Sequence, residues 1–115
     1  MEVDYLELAR RVAEIAEEEK AINVIILDIR DLTVIADYFV IASGRSTIQV
    51  KSIAEKIEDE LLNLGYRPLR REGFNEGRWV VLDYQGVMIH IFRQQERDFY
   101  HLEGLWSDAR MVALR

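Results

Sequence analysis

Cysteine is absent from the chain. That removes disulfide scaffolds, thiolate metal sites and cysteine nucleophiles together. No apolar run reaches the roughly 18 residues that a bilayer-spanning helix needs, so no membrane partner is expected. A basic surplus is also missing: 15 Lys and Arg stand against 21 Asp and Glu, for a net charge of -6. Broad nucleic-acid binding needs a basic face, so it is disfavoured, although a local basic patch stays open. The first residues are acidic and helical in pattern, unlike a signal peptide, and a cytoplasmic location is expected. Internal repeats and low-complexity stretches are lacking too.

What is present suits a globular chain. The 115 residues are 50% hydrophobic and 31% charged, enough for one domain spanning 1–115 around one core. The chain is organised around Trp79–Phe92, where two apolar runs flank Gln85–Gly86. This predicts a β-hairpin with a two-residue loop. That register pairs Tyr84 with Val87, Leu82 with Ile89 and Val80 with Ile91 on one apolar face. The opposite face pairs Asp83 with Met88, Val81 with His90 and Trp79 with Phe92. A hairpin apolar on both faces is either a buried central pair or a core face backed by a binding face.

Elsewhere the pattern predicts a helix over Tyr5–Glu19, with Asp4 and Glu7 at capping-box spacing. Asn23–Ile29 and Tyr38–Ala42 read as buried strands, joined by a short connection over Thr33–Asp37. A second helix is predicted over Thr47–Leu64, opened by a Ser46/Gln49 box and stopped by Gly65. Pro68–Glu72 reads as an edge strand and Gly73–Arg78 as a loop. Gln94–Leu102 reads as a short helix, with another helical turn or two within Glu103–Ala113. The expected class is α/β, a mixed sheet with flanking helices.

Five constellations carry candidate chemistry. Ser43–Gly44–Arg45–Ser46 lies at a strand-to-helix turn, where free backbone N–H groups can hold phosphate. One glycine without a following lysine is neither a Walker loop nor a dinucleotide fingerprint, and a capped turn is favoured. Asp28, Asp31, Asp37 and Asp83 are carboxylates, but their spacing does not aim them at one ion. His90 and His101 lack matching ligands, which favours a satisfied or partner-facing His90 over a base or metal ligand. Arg67, Arg70, Arg71 and Arg78 are diluted by Glu72 and Glu76; a solvated loop is favoured over a docking contact. Trp79, Phe92, Phe99, Tyr100 and Trp106 crowd the last third of the chain. Phe99 is assigned to the core, while Trp79 and Phe92 suit a partner surface as well as a core.

Three blocks of residues match a known family. Ile35–Gly44 with Arg45, Ser46 and Gln49–Ala54 form the first. Glu72–Gly73, Trp79–Tyr84 and His90–Phe92 form the second, and Arg97–Trp106 the third. In this order they resemble the ribosome silencing factor family, also called the Iojap family. The resemblance implies a nucleotidyltransferase-like fold without catalytic residues, metal or cofactor. It also implies a non-catalytic translational repressor. Such a protein docks on the large ribosomal subunit through ribosomal protein uL-fourteen and sterically blocks joining of the small subunit. Carried over by position, the docking residues are Trp79, Asp83, His90, Phe92, Arg97, Tyr100 and Leu102. Val81 and Met88 are expected on the same partner-facing side. The alternative is a nucleotide- or phosphate-binding enzyme working at Ser43–Ser46. A homodimer of the free chain over the hairpin face is a third reading.

Overall fold

The computed structural model describes residues 3–115. Helix α1 (Tyr5–Glu18) starts where Asp4 Oδ1 accepts the Glu7 N–H at 3.1 Å, satisfying one of the free donors of the first turn. Strands β1 (Ile22–Asp28) and β2 (Tyr38–Gly44) follow, then helix α2 (Thr47–Asn63). Ser46 Oγ accepts the Gln49 N–H at 3.1 Å. Gln49 does not return to Ser46; its Oε1 accepts the Arg45 N–H at 2.6 Å, and its Nε2 donates to the Lys20 carbonyl. One side chain therefore closes the βα turn and ties it to the end of α1. At the other end Gly65 takes φ +93. The Tyr66 and Gly65 N–H groups return to the Leu61 and Leu62 carbonyls, a Schellman closure that requires the left-handed residue glycine supplies.

Strands β3 (Arg70–Glu72), β4 (Trp79–Asp83) and β5 (Val87–Arg93) come next, followed by helices α3 (Gln94–Tyr100) and α4 (Leu102–Leu105) and strand β6 (Arg110–Val112). The six strands form one sheet in the order β3-β4-β5-β2-β1-β6. Only β2 and β5, at its centre, run parallel; the other pairings are antiparallel. The mixed α/β class read from the sequence is the one observed. The expectation for Glu103–Ala113 is corrected: helix α4 is a single turn, and Arg110–Val112 pairs with β1 as an edge strand. The helix predicted over Gln94–Leu102 breaks at His101, which adopts φ +48.

The hairpin register is the predicted one, from Trp79 opposite Phe92 to Asp83 opposite Met88. Gln85 carries the positive φ of the turn, and Asp83 Oδ1 accepts its N–H at 2.8 Å. Gly86 is needed for a different reason. A Cβ there would lie 2.3 Å from the Tyr5 ring, which packs flat over the turn.

Each face of the sheet has its own cover. Val80, Leu82, Tyr84, Val87, Ile89 and Ile91 join α1 and α2 in the larger core cluster. The alternating burial of β4 follows from this, since only every second side chain points at the helices. The opposite face carries Phe39, Ile41 and Leu27 beside Phe92, with Met88, Trp79, Leu102 and Trp106 packed around them. This second cluster lies under the chain that follows β5.

Candidate functional site

The second face of the hairpin is half covered by its own chain. Residue pairs across the strands set its rows: Trp79, Phe92 and Ser43; then Val81, His90 and Ile41; then Asp83, Met88, Phe39 and Leu27. Tyr100 lies over the first row, its ring 5.1 Å from Trp79 and 6.5 Å from Phe92. Trp106 meets Phe39 edge to face at 5.2 Å over the third. The covering is incomplete. Trp79, Val81 and Met88 keep part of their surface, Tyr100 is about half exposed, and Phe99 is 80% exposed.

This geometry divides the residues proposed from the sequence. Trp79, Tyr100 and Leu102 stand on the accessible part of the face. Phe92 is corrected: it is fully buried, stacked under Trp79 at 4.8 Å, and presents nothing to a partner. His90 is also inside, 5% exposed. Its Nδ1 accepts the Trp79 indole N–H at 3.1 Å, and Phe39 contacts the ring edge-on at 4.8 Å. Burial pushes the imidazole pKa down to about 4, so the ring is neutral at physiological pH. It orients Trp79 from beneath. Asp83 sits at the far end of the face, where its carboxylate caps the turn and lies 3.6 Å from Arg70.

Arg97 is the largest correction. Its guanidinium points inward rather than at a partner, and the residue is 7% exposed. Nη1 reaches the Asn23 carbonyl at 2.6 Å, Ser43 Oγ at 2.9 Å and the Ile22 carbonyl at 3.3 Å, while Nε faces Glu103 at 3.3 Å. Burial lowers its pKa, and the Glu103 carboxylate acts against that shift. Arg97 bolts α3 and the start of α4 to β1 and β2, and so holds Tyr100 over Trp79. A buried arginine and a docking arginine look alike in sequence.

Phe99, assigned to the core from sequence, is instead exposed, with its ring edge-on to Tyr100 at 5.1 Å. Leu105 on α4 is 77% exposed. Phe99 and Tyr100 thus add apolar surface around the Trp79 end, and Leu105 adds more on α4. Sequence reasoning missed Leu105, whose position on a single-turn helix has no period to betray it.

The other constellations are occupied by structural work. At Ser43–Ser46 the Arg45 and Gln49 N–H groups are already taken by Gln49 and Ser46 side chains, and Ser43 Oγ serves Arg97. Asp28 accepts from Arg30 at 2.7 Å and from Arg110 at 3.3 Å; the Arg30 contacts hold its carboxyl well below the usual range. Arg71 pairs with Glu58 at 2.8 Å and lies 4.1 Å over the Phe74 ring. Arg70 is the one near Asp83. His101 lies at the α3–α4 break and is largely exposed.

Comparison with known proteins bears on the whole length. Residues 2–115 match the family model described as "Ribosomal silencing factor during starvation". The chain is 38% identical over 102 residues to the ribosomal silencing factor of Bacillus subtilis, covering 89% of this chain and 86% of that protein. It is 28% identical to the chloroplastic protein Iojap of Zea mays over 98% of this chain, which spans about half (49%) of that longer protein. A crystal structure of a Chromobacterium violaceum protein superimposes with a TM-score of 0.87 at 32% identity, covering 93% of this chain and 88% of the other. One from Bacillus halodurans gives 0.81 at 32% identity, covering 96% and 97%. With a family match spanning nearly every residue and relatives above the 30% level, the chain belongs to the ribosomal silencing factor (RsfS/Iojap) family.

Proposed function

We propose that this protein is a non-catalytic translational repressor that binds the large ribosomal subunit and keeps the small subunit from joining. The observation that carries the reading is the half-covered aromatic face: Trp79 on β4 and Phe99 and Tyr100 on α3 stand together, accessible. Aromatic anchors on a preformed surface are the usual energetic centre of a protein interface. Membership of the ribosomal silencing factor family supplies the ribosomal context. The partner on the subunit is ribosomal protein uL-fourteen, and the mechanism is occupancy of volume that the small subunit requires. No bond is made or broken, so the role asks for no catalytic group, metal or cofactor. The site of action is the cytoplasm, and a homodimer of the free chain over the same face would compete with docking.

Co-sedimentation with separated subunits tests this. The expected result is association with the large subunit alone, together with fewer joined ribosomes when both subunits are mixed. Failure to associate, or association without any loss of joining, overturns it.

A further inference from the structure

The connection between β1 and β2 holds a second apolar surface that the aromatic face does not include. Leu32, Val34 and Ile35 are 44%, 101% and 53% exposed. A fully exposed valine beside an exposed leucine and isoleucine is costly to leave in water, yet this loop is not a loose tip. The Leu32 and Thr33 N–H groups both return to the Ile29 carbonyl at 3.0 and 3.2 Å, and the Ile29 N–H donates to the Asp37 carbonyl at 3.0 Å. The Ile35 N–H donates to Thr33 Oγ1 at 3.3 Å. The loop is therefore preorganised, with its aliphatic side chains held outward.

Its place is informative. Ile29 and Ala36, at the two ends of the loop, are buried in the same cluster as Phe39 and Phe92. The Asp37 N–H also donates to the Gly86 carbonyl at 2.8 Å, which fixes the loop beside the hairpin turn. The loop thus stands at the Met88 end of the second face, while Trp79 and Tyr100 mark the other end. Asp83 lies four steps along β4 from Trp79, so the two ends are about 13 Å apart.

Charge selects the occupant. The exposed aliphatics are flanked by Asp31 and Asp37, and neither carboxylate enters an ion pair among the described residues. The nearby cations, Arg30 and Arg110, are both drawn to Asp28, at 2.7 and 3.3 Å, and not to Asp31 or Asp37. Phosphate is repelled by such a rim, whereas an apolar patch edged with basic side chains is complementary to it. Resting on the ribosome-binding reading, we infer that the Leu32–Ile35 loop is a second contact of the docking surface. It seats its aliphatic side chains on an apolar, basic-rimmed patch of ribosomal protein rather than on ribosomal RNA.

The test measures binding of full-length variants to purified large subunits by co-sedimentation at fixed salt. Val34→Ser has no packing to lose, so its thermal midpoint stays at the parent value while its affinity falls several-fold. Val34→Ser combined with Ile35→Ser lowers affinity at least tenfold, and Val34→Lys lowers it as well. Parent-like binding by the double variant overturns the loop contact alone. Tighter binding by Val34→Lys overturns it in favour of an RNA contact. Variants that abolish self-association on sizing but bind subunits normally place the loop between copies of this chain and also overturn it. A parent chain that ignores large subunits overturns the functional reading and the loop contact together.

Discussion

The Trp79 indole donates to His90 Nδ1 across 3.1 Å, diagonally over the hairpin. Indole nitrogen can only donate, so His90 must accept there and carry its single proton on Nε2. Protonation of Nδ1 would set two donors against each other inside the cluster.

Acid should therefore weaken the fold through this pair. The folded imidazole has its pKa pushed down to about 4 by burial, against an ordinary 6.5. A lowered base means that the unfolded chain binds the proton more readily. Stability is then complete above pH 6.5 and is lost as pH falls towards 4, by about 3 kcal/mol in total. Denaturant titrations at several pH values check this. His90→Gln, which keeps an acceptor without a titrating proton, should flatten the slope between pH 4.5 and 6.5.

Removing the Arg97 side chain leaves the Ile22 and Asn23 carbonyls, Ser43 Oγ and Glu103 without their donor. Arg97→Ala is expected to cost about 3 kcal/mol, because the Ile22 and Asn23 carbonyls and Ser43 Oγ lose their donor and the partly covered Glu103 loses its partner. Arg97→Lys should recover part of that, since an ammonium reaches fewer acceptors than the guanidinium fork. Urea midpoints report both. Near-parent stability of Arg97→Ala would return Arg97 to the surface.

Gly86 and Tyr5 should be coupled. Gly86→Ala places a methyl 2.3 Å from the Tyr5 ring, a contact that forces α1 away from the turn. The expected loss is about 2 kcal/mol, within the usual range for overpacking. In a Tyr5→Ala background the same change should cost much less. A double-mutant cycle that closes additively would show the ring is free to move aside.

Core and contact can be separated on the aromatic face. Phe92→Ala empties a fully buried site and should lose about 3–5 kcal/mol of stability. Tyr100→Ala and Trp79→Ala should each weaken large-subunit binding by about 2 kcal/mol. Tyr100 is about half exposed, so its variant should unfold close to the parent midpoint. A Tyr100→Ala protein that folds and binds like the parent would remove it from the interface.

The hairpin register was legible because side chains alternate strictly: a slip of one residue would carry Leu82 and Ile89 out of the core. Helix α2 was legible from its repeat and from the Ser46 and Gly65 signals at its ends. The fate of the second face was not. Alternation says that Phe92 and His90 point away from α1 and α2, but not whether the same chain or another molecule covers them. That depended on Arg97, whose inward bonds are to carbonyls more than seventy residues away. Strand β6 was hidden for a related reason. Its three residues alternate too briefly to signal a strand, and only the exposed edge of β1 gives them a partner.

The pairing of β6 with β1 also orders events in time. Ile26 and Val112 meet across 86 positions of chain, whereas Val80 and Ile91 meet across eleven. Closing the longer loop from the unfolded state costs about 2 kcal/mol more. Once β1, β2 and β5 are aligned, most of that loop has already been gathered in, and β6 can join cheaply. The last segment to settle is then the one that carries Trp106 over Phe39. On that cost alone the Trp79–Phe92 hairpin is expected to pair before β6 joins β1.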